Sequence, residues 1–494
     1  VGSYNWSDFA ALAPVVTMVV GACVLLISEV FLTSSDRRYQ APLSIGFAVV
    51  AGIFAWGGIA EPGRDLFGGF ARLDGFGAFA ALIVSFSVAM TSLFASAHMK
   101  ELASERGEFH ALTHLAGAGM ILLAETTDLV TLFVALEVMS LAIYALVSYI
   151  RSTPRPAEAA LKYFVLGSFS SAVFLYGSSL AFGVAGSTRF AEIAMAVKTP
   201  GGASSLLFIA LALILSGFFF KVAAVPFHTW TPDVYDGAPT TVTGFMAAGV
   251  KVAAFAAVLR TLYVAFGASS VATDHGWLTA VSAVAWLTMI GGNLLAVAQR
   301  SVKRMLAYSS IAHAGYLLVG VAAGGDLPDR PAALQATLFY LAAYTATALG
   351  AFAVCASLEH RSDTGNDEDA RYDGLAQRHP GLALAMAVFM FSLAGVPPTL
   401  GFWGKLYILQ AAVKANLIGL SVVAVLTSLM GLYYYLRVVV VMYMRPAVQG
   451  AAEPSRQLAL GVGLGITAAA TVLFGIGPGF LGNLALIAAR TLGQ

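Results

Sequence analysis

Lys221, Lys251 and Lys405, together with Glu137, each sit inside a long apolar run with no charged partner close by in sequence. An ionisable group at the centre of a membrane helix costs roughly 2.5–3.5 kcal/mol on insertion scales. Four of them cost about 10–14 kcal/mol, comparable to the whole stability of a domain. Something must offset or exploit that cost, and the chemistry these groups suit is proton movement. Lysine exchanges its proton readily when buried, whereas arginine stays charged. At ~8 Å and an effective dielectric of ~20, a Glu137–Lys221 pair attracts by about 2 kcal/mol, enough to tie the proton affinity of each to the position of the other. The plain alternative is a static ion pair. Lys221 lies just before Pro226, and Lys405 just after Pro397 and Pro398. Proline inside an apolar run breaks a helix, and broken helices mark transport sites.

Further candidates surround these four. His313 falls mid-span in KRMLAYSSIAHAGYLLVG, one turn beyond Ser309 and Ser310, and reads either as a relay imidazole or as a hydrogen-bonded core residue. His228, just after Pro226, faces the same choice. Lys251 is too central to snorkel, whereas Lys405 could reach the interface along its stem. Lys162, expected in the first turn of its helix, reads as an interface charge that could also pair inward. Lys303 and Arg304 at a helix start read as positive-inside anchors.

The elements that must hold these residues are membrane helices. Of 494 residues, 59% are hydrophobic and 11% charged, against about 25% charged in soluble domains. Apolar stretches of spanning length, about 20 residues each, start near Phe9, Pro42, Leu73, His110, Leu129, Glu158, Ser204, Thr240, Trp277, Val302, Ala332, Gly381, Ala415 and Leu458. The chain is therefore expected to be an all-α polytopic membrane protein with about fourteen transmembrane helices. The first run, Phe9 to Leu32, has no basic residue before it and reads as a retained helix, not a signal peptide. Lysine and arginine concentrate in the odd-numbered loops (Arg37, Arg38, Arg151, Arg300, Lys303), which are expected to face the cytoplasm. A net charge of +1 gives no basic face for nucleic acid. Without a phosphate-binding glycine motif, a CxxCH or a Cys/His cluster, no cofactor and no metal is expected in this chain. Cys23 and Cys355 read as small core residues, and the aromatics as membrane-belt and core material.

Two stretches echo each other. SGFFFKVAAVPFHTWTPDVYDGAP (Ser216 to Pro239) and FSLAGVPPTLGFWGKL (Phe391 to Leu406) both combine an apolar helix, a proline break, a lysine and aromatics. They fall on the seventh and twelfth helices. A spacing of five is odd, so successive units are expected to be inverted, giving two inverted five-helix repeats, each containing a broken helix. The expected organisation is helices one to three over 1–109, a first repeat over 110–265, a second over 277–446 and a last helix over 447–494. Thr188 to Lys198 reads as a short surface helix, with Phe190, Ile193 and Met195 opposite Arg189, Glu192 and Lys198. Glu359 to Pro380 reads as an exposed loop.

FKVAAVPFHTWTPDVYDGAPTTVTGFMAAGVKVAAF and NLLAVAQRSVKRMLAYSSIAHAGYLLVG resemble the antiporter-like subunits of respiratory complex I, the proton-pumping NADH:quinone oxidoreductase, and the N type above the others. PDVYDGAPTTVT at Pro232 to Thr243 carries this, followed by Lys251 and by a lysine at 405 where the M type usually has glutamate. The chain also stops near its fourteenth helix, without the lateral helix of the L type. The resemblance implies that Glu137 is the fifth-helix glutamate, and that Lys221, Lys251 and Lys405 are the seventh-, eighth- and twelfth-helix lysines of proton translocation. It implies a subunit of a translocase with no redox centre of its own. NAD, FMN, iron–sulfur clusters and quinone are then expected in other subunits, K-type and M-type neighbours as partners, and the bacterial inner membrane, or an organellar energy-coupling membrane, as location. A subunit of a multi-subunit sodium/proton antiporter is the rival reading, and a passive scaffold the third.

Overall fold

A computed structural model describes residues 6–33, 36–102, 104, 106–199, 204–267, 276–325, 330–359, 371–447 and 458–492. In chain order its helices are α1 (Trp6–Ala11), α2 (Ala13–Phe31), α3 (Gln40–Gly58), α4 (Gly75–Glu101), α5 (Gly107–Glu125), α6 (Leu129–Val147), α7 (Pro154–Ala185), α8 (Phe190–Lys198), α9 (Ser205–Lys221) and α10 (Trp230–Gly237). There follow α11 (Thr240–Ala265), α12 (Trp277–Val297), α13 (Val302–Ala323), α14 (Arg330–Ser357), α15 (Pro380–Ala394), α16 (Leu400–Lys414), α17 (Ile418–Met444), α18 (Leu458–Ile476) and α19 (Gly479–Thr491). Among the described residues 11 helices are long and apolar enough to cross a membrane. The chain is an all-α polytopic membrane protein.

Local chemistry sets the ends. Asp74 caps α4 by accepting from Gly77 N, Asp128 caps α6 through Val130 N and Thr131 N, and Ser301 caps α13 through Arg304 N, each supplying an acceptor to an otherwise orphan donor. Pro154 opens α7, so this helix starts before the Glu158 expected from hydropathy. Lys162 is consequently two turns in, not in the first turn. Between α3 and α4 a small antiparallel hairpin, β1 (Arg64–Leu66) and β2 (Ala71–Leu73), pairs Arg64 with Leu73, so Leu73 ends a strand instead of starting a helix.

The prolines act as expected. α9 stops at Lys221 and α10 resumes at Trp230; α15 stops at Ala394 and α16 resumes at Leu400. α5 packs on α6 and α7 on α9, as α12 packs on α13 and α14 on α15 and α16. The middle is α11, whose most apolar window is 100% buried and which packs on α4, α5 and α14. It contains two π-helical turns, Met246–Val250 directly before Lys251 and Thr261–Ala265 directly after Arg260. Such turns concentrate at functional positions.

Three expectations are corrected. Cys23 is exposed on α2, because that helix turns one side outward, while Cys355 is buried. In α8 Phe190, Ile193 and Val197 point inward and Met195 is exposed, the inner face following i, i+3, i+7. The stretch from Glu359 is anchored at both described ends: Glu359 is partly buried, and Tyr372 and Leu375 are buried. Residues 360–370 lie outside the described residues.

Candidate functional site

Three buried lysine ammonium groups mark the middle of the molecule. Lys221 ends α9, and its Nζ donates to Ser140 Oγ on α6 at 2.8 Å. The rings of Tyr144, Tyr163 and Phe220 each lie 5.8 Å from that nitrogen. Glu137, one turn before Ser140, does not form a contact ion pair with Lys221; its Oε1 is buried without a hydrogen-bond partner. The side chain is half-buried beside Val134, Val138 and Leu141, which face outward. The carboxylate thus lies apart from Lys221, at the edge of a surface that a neighbour or lipid would cover.

Lys251 donates to both Ser310 O (2.5 Å) and Ser310 Oγ (2.6 Å) on α13 and lies 5.1 Å from the Tyr344 ring. One turn on, His313 is hydrogen-bonded at Nδ1 to the Tyr340 hydroxyl (2.6 Å) and at Nε2 to the Tyr435 hydroxyl (3.0 Å). Tyr435 also bonds Ser309. The imidazole packs on Tyr344 and edge-on to Tyr316, and Lys405 Nζ lies 5.1 Å from the Tyr316 ring. Lys405 donates to Leu393 O (2.9 Å), Ala394 O (3.0 Å) and Ser428 Oγ (2.9 Å). Its first two acceptors are carbonyls released by the break after α15, so the lysine points inward and does not snorkel. Gly395 makes this possible: its φ of 86° suits glycine, and a Cβ there would lie 3.0 Å from Lys405 Cδ. Lys251, Ser310, His313, the tyrosines and Lys405 form one file of groups that can accept and donate protons.

A family model described as NADH:quinone oxidoreductase/Mrp antiporter, TM, matches residues 126–431, which include Lys221, Lys251, His313 and Lys405. The chain belongs to that family. It is 49% identical, over 96% of both chains, to a Myxococcus xanthus protein named NADH-quinone oxidoreductase subunit N. It also superposes on a chain of respiratory complex I from Thermus thermophilus with bound aureothin (TM-score 0.79, 33% identity, 96% of this chain and 99% of that one). A chain of the Mrp complex from Dietzia sp. shares the fold (TM-score 0.85, 98% of both chains) at 24% identity.

Within this family member, the remaining predicted residues lie off the file. His228 is half-buried in the break between α9 and α10, its Nδ1 without a partner. Lys162 is exposed and bridges Glu158 (2.8 Å) and Asp233 of α10 (3.2 Å). Arg304 pairs with Asp233, and Lys303 donates to Ala238 O, so both brace α10 as well as marking a helix start. Sequence reading missed Ser140 and the tyrosines 316, 340, 344 and 435, which it took for belt and core. Their one signal was position: Ser140 is a turn from Glu137, and Tyr316 a turn from His313. It also missed Arg260, fully buried on α11 and forked onto Asp74 (2.7 Å to each oxygen) with Nε on Ala124 O.

Glu359 ties the same face together. It accepts from His98 Nε2 (3.1 Å), Thr240 N (3.3 Å) and Thr240 Oγ1, with Lys303 Nζ at 3.8 Å. Burial pushes its carboxyl up, but Lys303 and these hydrogen bonds hold it well below the usual carboxylate range. A depressed folded value means that its stabilisation is present above the unfolded carboxylate value near 4.3 and is lost as pH falls below it. Glu359→Ala is expected to cost about 1–3 kcal/mol. Thermal melting of the purified assembly should show that deficit at pH 7, shrinking progressively below about pH 4.

Proposed function

We propose that this chain is the proton-translocating membrane subunit of an NADH:quinone oxidoreductase, working in a bacterial inner membrane among other membrane subunits of the complex. The observation that carries the reading is the file from Lys251 through Ser310 and His313 to Lys405, built of exchangeable groups inside an otherwise apolar interior. Hydroxyl, imidazole and ammonium groups set this close together can pass a proton on without carrying an ion across lipid. In this reading the chain crosses the membrane fourteen times, with inverted units over 110–265 and 277–446 each holding one broken helix with its lysine, Lys221 or Lys405. Electron transfer through NAD, FMN, iron–sulfur clusters and quinone belongs to other subunits; this chain holds and moves protons. Glu137 sets the charge state of Lys221 by its distance from it, so a shift of a neighbouring subunit or of α6 is converted into proton uptake or release at Lys221. Tyr235 packs on Trp230, which stacks on the Tyr163 and Phe220 rings around Lys221, while the Tyr344 ring lies 5.1 Å from Lys251 Nζ.

The deciding experiment measures proton pumping and quinone reductase activity in sealed membranes carrying Lys221→Ala, with assembly read on a native gel. Loss of pumping in an assembled complex is expected. Normal pumping would leave the buried lysines as structural ions and favour the scaffold reading, whereas sodium/proton exchange driven by an ion gradient with no redox partner would favour the antiporter.

A further inference from the structure

Between α15 and α18 an open groove of about 950 Å³ runs along the molecule's side, within the range of small-molecule sites. Both helices enter it with small residues, Gly381 and Ala385 on one wall and Gly461, Gly465 and Ala468 on the other. From Gly461 to Val472 the α18 wall spans twelve residues, about 17 Å at the helical rise. That is close to half of the roughly 30 Å hydrocarbon core, the depth of one leaflet.

One end of the groove differs from the rest. Arg378 lies there, its Nη2 donating to Arg371 O (2.8 Å) while its Nε and Nη1 are buried without a hydrogen-bond partner. α15 and α18 run parallel, since Gly475 near the end of α18 packs on Pro398 and Thr399 just past the end of α15. Pro380 opens α15, and the residue at its N-cap, His379, gives its first turn no side-chain acceptor. The N-terminus of α15 and a guanidinium converge where, among the described residues, no carboxylate lines the wall. The structure therefore joins an anion-seeking end to an apolar channel one leaflet deep.

We propose that the groove binds one anionic phospholipid, its phosphodiester on Arg378 and the first turn of α15 and one acyl chain along α18. Because a lipid tail gains nothing by moving from one apolar setting to another, retention rests on the head group and on close packing against the glycines. Arginine suits this head, since its planar fork donates two parallel bonds to a phosphate. A transmembrane helix from a neighbouring subunit would fill the channel but leave the two N–H groups unpaired unless it brought its own anion.

The test uses the assembled complex in vesicles of phosphatidylethanolamine and phosphatidylglycerol. A benzoylphenylalanine photoprobe is placed at position 464, in the groove, or at position 426, where Leu426 is 57% exposed on α17. After irradiation, the mass of the adduct identifies what was captured. Phosphatidylglycerol is expected to be several-fold over-represented at 464, to match the bilayer at 426, and to lose its enrichment at 464 in Arg378→Gln. Gly465→Leu gives a second reading that leaves protein packing alone, because nothing lies within 4 Å of the added Cβ; total lipid capture at 464 should fall. Capture of a neighbouring subunit's peptide, bilayer proportions at 464, or enrichment that survives both substitutions would overturn the proposal.

Discussion

Lys251→Met is expected to abolish coupled proton pumping while the complex still assembles. Lys251 is the most central of the three lysines: it sits on the fully covered α11, and its ammonium bonds both the carbonyl and the hydroxyl of Ser310. Methionine keeps an unbranched stem of similar length in the same channel and removes only the exchangeable group. Positioned acid–base groups contribute typically 10²–10⁴-fold, so pumping should fall by about 100-fold or more. A pH-sensitive dye in sealed vesicles energised with NADH reads it, beside quinone reductase activity and a native gel. Lys251→Arg separates function from structure. Arginine preserves the buried positive charge and its hydrogen bonds but does not give up its proton. If Lys251 is a relay, arginine should fail as completely as methionine. Recovery of pumping with arginine would make the site a fixed charge and remove Lys251 from the proton route.

Much of this arrangement was legible in the chain, for identifiable reasons. Hydropathy located the apolar runs because each must cover its own backbone hydrogen bonds within lipid, which leaves a length and composition signature. The breaks followed from Pro226 and from Pro397 and Pro398, and the buried lysines from their cost. What periodicity could not supply was pairing between distant helices. Ser140 meets Lys221 from a helix 81 positions away, and Tyr435 meets His313 from 122 away. A tyrosine in an apolar run has the same sequence signature whether it faces lipid head groups or a lysine. Arg260 was overlooked because a single arginine near the end of an apolar run reads as an interface charge, yet α11 holds it fully buried and continues past it through a π turn. Its partner, Asp74, was hidden in a loop whose hairpin is too short for any alternation to show.

That overlooked pair supports the second large effect: Asp74→Ala is expected to destabilise the protein by about 3–5 kcal/mol and to cut the yield of assembled complex. Asp74 is 0% exposed and does two jobs, capping α4 through Gly77 N and accepting both forks of Arg260. Removing it leaves a guanidinium with 1% exposure facing Ala124 O alone. Breaking a buried pair by deleting one partner is far worse than replacing both, since the survivor stays charged away from water. Asp74→Ala combined with Arg260→Met should therefore recover much of the loss, and that non-additivity is the signature to look for. One neighbour can soften the single substitution. Glu125 lies against the same site, its Cγ and Arg260 Nη2 both crowding the space beside Gly77, and its Oε2 has no partner. A small turn of that carboxyl would let it take over Arg260, so adding Glu125→Gln to Asp74→Ala should bring out the full cost. Thermal melting and native-gel yield of the parent, the singles Asp74→Ala, Arg260→Met and Glu125→Gln, and both doubles complete the two cycles. Equal melting of Asp74→Ala and the parent, with Glu125 already changed to glutamine in both, would show that the pair does not hold α4 to α11.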